Sequence, residues 1–353
     1  MTHSKFRIRP TATSRLGEVD LSDIPFGRLY SDHMLSVDCS DGEWGVPEIG
    51  PFSNFSLHPA TSVFHYAQAI FEGMKAYRAD DGVPVLFRSR ENWRRMNRSA
   101  HRMVMTPVPE DLFLDGIREL VRLDRGWIPD NATGALYIRP FLFATDPYIG
   151  VHPSKDYKFC IFTAPVGPYY TKPVTLYVTR RWIRAAPGGI GEAKAAGNYS
   201  ASLYGMQEAE AHGCDQVLWL DAIEHRFIEE CGTMNMMFVI GGRVITPPLG
   251  GTILPGVTRD SAIRLFREQL DVEVEERPIS LEEVVACHEE GTLEECFGVG
   301  TAAIVSRVAR LTGDGVEVNL PEECPLQDRL RDTITDIRLC RAPDPYGWVE
   351  RLD

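Results

Sequence analysis

The chain has 353 residues and a net charge of −13 at pH 7, with 44% hydrophobic and 25% charged residues, ordinary usage for a globular protein. At roughly 150 residues per domain this predicts two domains, and a chain of this length buries about three quarters of its unfolded surface, so it needs no disulfide or structural metal to fold. The acidic balance argues against a nucleic-acid binder, and no run approaches the ~18 apolar residues of a membrane span.

In chain order, residues 1–50 read as short extended pieces broken by turn pairs such as Phe26-Gly27 and Asp41-Gly42. A first helix is predicted near 90–105 with Ser89 as its cap. A second runs from Glu110 to about Arg125, with Leu112, Ile117, Leu120 and Val121 on one stripe. Ala135–Arg139 and Lys158–Thr163 alternate as strands. Residues 165–173 hold three prolines and a glycine, which predicts an interdomain loop between a small N-terminal domain (1–164) and a large C-terminal one (174–353). Beyond it come a strand at Val174–Val178, a Gly-rich loop at Pro187–Gly191, and a helix from about Ser200 to His212 stopped by Gly213. Strands follow at Gln216–Leu220, Asn235–Ile240 and Arg243–Ile245, the last two joined by Gly241-Gly242, and Thr258–Leu270 reads as an amphipathic helix. Both halves mix α and β.

The N-terminus carries positive charge with no apolar stretch behind it, so no secretory signal is expected. Eight cysteines are scattered with no Cys-x-x-Cys, which predicts reduced thiols in a cytoplasmic protein and no zinc ribbon. His288-Glu289-Glu290 lacks the second histidine of a zinc-protease motif, so no metal is expected.

Five stretches could carry chemistry. Lys194, flanked by small residues between a Gly-rich loop and a helix, can approach a ligand and form a Schiff base with an aldehyde or ketone, with the Tyr199 phenol five residues on. The bland alternative is a solvated loop lysine. Glu229-Glu230 would project to opposite faces of a strand, one inward in need of a cationic partner such as a protonated ring nitrogen, the other to water; otherwise both are solvated acids. Leu254-Pro255-Gly256 runs into a helix starting at Val257 and Thr258, either an ordinary cap or a phosphate site built from unpaired N–H groups. Gly298-Val299-Gly300-Thr301-Ala302 offers close backbone approach plus a hydroxyl. Arg95, Arg98 and Arg102 share a helix face, solvated or with one member reaching a phosphate. Together these are the parts of a pyridoxal 5'-phosphate site, and no strand–Gly-x-Gly-x-x-Gly–helix or Gly-x-x-x-x-Gly-Lys-Ser/Thr nucleotide motif competes.

Over nearly its whole length the sequence resembles the branched-chain amino acid aminotransferases. The matching stretches include Val63 to Arg78, with Phe71-Glu72-Gly73-Met74-Lys75 at their centre, then Arg95 to Ala100, Tyr137-Ile138-Arg139-Pro140 and Pro165 to Tyr169. They continue through Lys194 to Tyr199, Gly213 to Leu220, Glu230 to Asn235, Leu254 to Arg259 and Gly300-Thr301-Ala302. The resemblance implies an α+β chain of the two-domain, D-alanine aminotransferase-like fold (fold type IV). It also implies transfer of the amino group of leucine, isoleucine or valine to 2-oxoglutarate, with the cofactor in the cleft between the domains.

By the same resemblance Lys194 carries the cofactor and shuttles the proton. Glu230 pairs with the ring nitrogen, Tyr199 meets the phenolic oxygen, and Arg95, Val257, Thr258 and Thr301 hold the phosphate. Thr233, Ala302 and Tyr137 meet the substrate α-carboxylate, Phe71, Tyr66 and Tyr169 wall an apolar pocket, and Arg139 receives glutamate's distal carboxylate. A homodimer is implied, with Ile149 and Val151 reaching the neighbouring subunit's pocket. One departure is visible: the animal enzymes' Cys-x-x-Cys after the Gly-Thr-Ala turn is replaced here by Ala303 and Ser306. Rival readings are a D-amino-acid aminotransferase, an aminodeoxychorismate lyase and a non-catalytic phosphate-ligand-binding module. Arg139 and Glu72-Gly73-Met74-Lys75 favour the branched-chain reading.

Overall fold

In the computed structural model, which describes residues 5–22, 24, 26–130 and 134–353, the chain divides into two compact units. The first comprises Met1–Tyr169, Ala193–Gly197 and Asp336–Asp353; the second comprises Tyr170–Glu192 and Asn198–Thr335. The chain first passes from one to the other at Tyr169-Tyr170, inside the proline-rich stretch at 165–173. The expected boundary of 174–353 differs at the C-terminus. Residues 336–353 belong to the first unit because Val349–Arg351 pairs antiparallel with Pro84–Phe87, and Leu339, Trp348 and Leu352 are buried.

The first unit is built on a ten-stranded, mainly antiparallel sheet. Its centre is the pair Ala135–Ala144 and Asp156–Val166, whose alternate side chains are buried among Leu35, Phe159 and Ile161. Residues 1–50 are less irregular than their turn pairs suggested: His33–Ser40 is an eight-residue strand beside Asp156–Val166. The helix Glu110–Leu123 sits close on this sheet at Gly116, where a Cβ would run into Leu35. The helix Ser89–Arg102 begins differently from expectation. Arg88, in the left-handed region at φ +53°, is the cap residue, and Ser89 is a buried first-turn residue whose hydroxyl donates to Glu350.

In the second unit six strands close on themselves. The order is Ile228–Cys231, Gln216–Leu220, Val174–Val178, Ile304–Gly313, Leu293–Gly300 and Met234–Ile240, which pairs again with Ile228–Cys231. Closure leaves no open edge among these six. Val174, Leu176, Leu218, Met236, Phe238, Val308 and Leu311 fill the core. Gly241 and Gly242 both take positive φ, as a two-residue turn requires, and they join Met234–Ile240 to Arg243–Thr246. The helix expected over 200–212 is two helices, Ala196–Ala201 and Leu203–Ala211. Ser202 interrupts the run, its hydroxyl donating to the Tyr199 carbonyl at 2.7 Å.

Candidate active site

In the first unit, Ala193–Gly197 lies along the edge of Ala69–Phe71. Phe71 N–H donates to the Lys194 carbonyl at 3.0 Å, Ile70 and Ala195 form an antiparallel bridge, and Lys194 N–H donates to Ser99 Oγ at 2.9 Å. The lysine backbone is therefore held between a strand and the helix Ser89–Arg102. Its side chain is half-buried, with Nζ 4.7 Å from the centre of the Phe71 ring. The helix turns Asn92, Arg95 and Ser99 inward at helical spacing, and all three are buried. Arg95 faces the carboxylate of Glu72, donating from Nε at 2.7 Å and from Nη2 at 2.8 Å.

Tyr137 and Arg139 project from the same face of the strand Ala135–Ala144, two residues apart. Arg139 Nη2 donates to the Tyr137 hydroxyl at 3.0 Å, and its guanidinium lies 4.6 Å from the Phe71 ring centre. Among the described residues its buried Nε has no hydrogen-bond partner. Gly73 makes room for this group, because a Cβ there would overlap the Tyr137 hydroxyl. Phe26 bridges the rings of Tyr137 and Tyr169, edge-on to both at 5.5 and 4.8 Å, and burial pushes the Tyr169 phenol up, helped by Tyr137. Tyr66 ends the short helix Ser62–Tyr66, half-buried and beside His65. Ile149 and Val151 are 71% and 90% exposed.

In the second unit, Glu229 and Glu230 are 7% and 4% exposed, so neither meets water, contrary to the expected alternation. Each acid finds its own donors. Glu230 Oε1 accepts from Arg184 Nη2 at 2.8 Å and from the Leu254 N–H. Glu229 accepts from the Thr252 hydroxyl, and burial, offset in part by Thr252 and Arg184, raises its carboxyl above the usual range. Arg184 Nη2 also reaches the carbonyls of Gly191 and Thr252, both at 3.0 Å, tying the Gly-rich loop to the segment before the next helix.

That helix, Val257–Glu268, has Gly256 at its N-cap, a residue that supplies no capping side chain. A Cβ at Gly256 would overlap Asn235 Oδ1, and Asn235 Nδ2 donates to the Leu254 carbonyl at 3.0 Å, so the helix start is drawn onto the strand that follows Glu230. The turn at Thr233 is exposed and the turn Thr301–Ala303 half-exposed. They adjoin, since a Cβ on Gly300 would press on the Thr233 carbonyl. Within this unit Glu230 is thus tied to the segment leading into Val257 and Thr258, and Thr233 adjoins the turn of Thr301 and Ala302. Tyr199 is half-buried on the helix Ala196–Ala201, which Asn198 pins to the Gly-rich loop through the Ile190 carbonyl at 2.8 Å.

The family model described as Amino-transferase class IV matches residues 69–311. The chain belongs to this family. It is 47% identical over 337 residues to the branched-chain-amino-acid transaminase 1 of Bacillus subtilis (strain 168), covering 94% of each chain. It is similar to the crystal structure of the Escherichia coli branched-chain amino acid aminotransferase, with a TM-score of 0.74 at 29% identity over 90% of this chain and 99% of that one. The branched-chain aminotransferase of the thermophilic archaeon Thermoproteus uzoniensis, solved with norvaline, gives a TM-score of 0.76 at 26% identity, over 91% of this chain and 100% of that one.

Three residues of this class IV aminotransferase escaped the sequence reading as functional candidates: Glu72, Ser99 and Arg184. Each left a faint signal or none. Glu72 is a single charge within an apolar run, Ile70-Phe71-Glu72-Gly73-Met74, and a buried carboxylate demands a partner. Ser99 lies one turn beyond Arg95 on the same helix. Arg184, between Ile183 and Ala185, has no spacing relation to Glu230 at all. Among the described residues no cluster of His, Cys, Asp or Glu could hold a metal ion, and no helix is long and apolar enough to cross a membrane.

Proposed function

We propose that this chain transfers the amino group of L-leucine, L-isoleucine and L-valine to 2-oxoglutarate, reversibly, with pyridoxal 5'-phosphate bound to Lys194. The residues suit the cofactor. A half-buried amine suits its aldehyde, a buried acid suits its ring nitrogen, and a glycine-capped helix start suits its phosphate. The observation that carries the reading is Lys194, its backbone fixed by Phe71 and Ser99 and its Nζ lying 4.7 Å from the centre of the Phe71 ring.

When bound, pyridoxal phosphate supplies an electron-withdrawing ring that accepts the electron pair left on the amino acid Cα. Lys194 would hold the cofactor and, through Nζ, would take the proton from the substrate Cα. Glu230 keeps the proton on the ring nitrogen. Its Oε1 accepts from Arg184 and from the Leu254 N–H, which hold the carboxylate in place. Tyr199 hydrogen-bonds the phenolic oxygen, and Arg95, the N–H groups of Val257 and Thr258, and Thr301 hold the phosphate. Thr233, Ala302 and Tyr137 receive the α-carboxylate. Phe71, Tyr66 and Tyr169 wall the side-chain pocket. Arg139, with its buried unpartnered Nε, takes the distal carboxylate of glutamate and lies back on Phe71 and Tyr137 for an aliphatic substrate.

We further propose a cytoplasmic homodimer, supported by the exposed apolar side chains of Ile149 and Val151, which would reach the neighbouring subunit. A substrate panel tests the function. With 2-oxoglutarate, L-leucine, L-isoleucine and L-valine should each yield glutamate and D-alanine should not; turnover of D-alanine alone would replace this reading with a D-amino-acid aminotransferase.

A further inference from the structure

Glu72 has no exposed surface, the least of any charged residue described in the first unit. It sits where the chain turns from Ala69–Phe71 into Met74–Arg78, its own N–H donating to the Pro140 carbonyl at 2.7 Å. Four donors converge on its carboxylate. Arg95 Nε meets Oε1, while Arg95 Nη2, Asn92 Nδ2 at 2.9 Å and Gly73 N–H at 3.2 Å meet Oε2.

As a stability device this arrangement is poor, because a buried ion pair is often matched or bettered by apolar side chains of similar volume. Its geometric effect is more specific. A two-point bond through Nε and Nη2 fixes the guanidinium plane and commits one edge of the fork to the carboxylate, so that the Nη1 side faces away from it in a set direction.

The second effect is electrostatic. Lys194 lies on the segment bridged to Ile70 and bonded to Phe71, the two residues before Glu72. Burial on its own would push the Glu72 carboxyl up, but Arg95, Lys194 and Asn92 outweigh it and hold the group ionised. The charged groups facing Glu72 are Arg95 from the helix Ser89–Arg102 and Lys194 from the segment 193–197; Asn92 and the Gly73 N–H add neutral donors.

We propose that Glu72 is a positioning residue of the cofactor site, orienting the Arg95 guanidinium toward the cofactor phosphate and keeping a fixed negative charge beside the Lys194 amine. The proposal rests on the functional reading above and extends it to a residue that itself touches neither cofactor nor substrate.

The test compares holoenzyme of the unaltered chain with Glu72→Gln and Glu72→Asp. Three quantities are read: the dissociation constant of pyridoxal 5'-phosphate, the pH midpoint of the bound cofactor's visible band, and the circular dichroism. Glu72→Gln should weaken cofactor binding by about tenfold through the loss of a charge-assisted contact. It should also move the band's midpoint down by about one pH unit, because a negative charge that favours the protonated form of the bound cofactor is gone. Glu72→Asp keeps the charge but not the reach, so affinity should fall while the midpoint stays near that of the unaltered chain.

A folded Glu72→Gln protein with unaltered affinity and midpoint overturns the proposal. If Glu72→Gln does not fold, Glu72→Asp decides alone, and cofactor affinity equal to that of the unaltered chain overturns it. Failure of the underlying reading looks different, since the unaltered chain would then show no visible band with the cofactor.

Discussion

Lys75 shows how strongly one side chain's surroundings can depart from its type. It lies on Met74–Arg78, directly opposite Tyr137, and is 6% exposed. Burial, with the nearby charge of Arg338, pushes its amine down to about 7. Unfolded, the same amine titrates near 10.5, so across this interval the unfolded chain binds more protons than the folded one. Stability therefore rises with pH through that window, and the penalty of burying the charge is fully felt below it. Replacing Lys75 by Met should raise the melting temperature at about pH 6, and the gain should shrink toward about pH 9. A constant difference across that range would show that the amine is not the cause.

At the same scale, Gly73→Ala places a methyl on the Tyr137 hydroxyl and displaces the Tyr137–Arg139 pair. An ångström of misplacement in a substrate-orienting group costs about 100-fold, so kcat/KM should fall by roughly that factor while the fold persists. Glu230→Gln removes a charge at the proposed ring nitrogen, and kcat should fall by about 100- to 1,000-fold. Steady-state kinetics check both, and near-normal rates in either variant would remove that residue from the site.

At the scale of elements, the start of Val257–Glu268 carries the sharpest expectation. Gly256 supplies no capping oxygen and lies against Asn235, so Gly256→Ala should shift the first amides and weaken pyridoxal phosphate binding by about five- to tenfold. Titration of the apo-protein with cofactor measures this. Elements with strong periodicity were legible from sequence. The apolar stripe of Glu110–Leu123 and the turn residues Gly241-Gly242 both specify local structure, and both stand in the structure.

Other elements were not legible, for identifiable reasons. Ser89 reads as a cap by type, but Arg88 takes the cap position in a left-handed conformation that only the packed chain enforces. His33–Ser40 alternates from Leu35 to Ser40, but it opens with His33, Met34 and Leu35 all buried, a run that does not read as a half-exposed strand. The acids at 229 and 230 were legible as adjacent strand carboxylates, yet the fate of each depended on Thr252 and Arg184, which no local pattern links to them.

For the whole molecule, the chain first passes between units at Tyr169-Tyr170, where proline and glycine punctuate the sequence, whereas no such punctuation marks the return of residues 336–353 to the first unit. That return depends on a three-residue strand and on Trp348, which packs edge-on to Phe87 at 5.6 Å and under Arg88 at 4.8 Å. Trp348→Ala should destabilise the protein by about 3–5 kcal/mol in denaturant unfolding, the usual cost of emptying a large buried site. A change below about 1 kcal/mol would mean that the C-terminal segment contributes little to the first unit.

We propose that one amine, Lys194, holds the cofactor and performs the proton transfers. The visible absorbance of purified protein reconstituted with pyridoxal 5'-phosphate, for the unaltered chain and for Lys194→Ala, with leucine turnover followed on the same samples, tests it most directly. A protein-bound visible band and turnover are expected in the unaltered chain, with loss of both in Lys194→Ala. A variant that keeps the band and the turnover would contradict it.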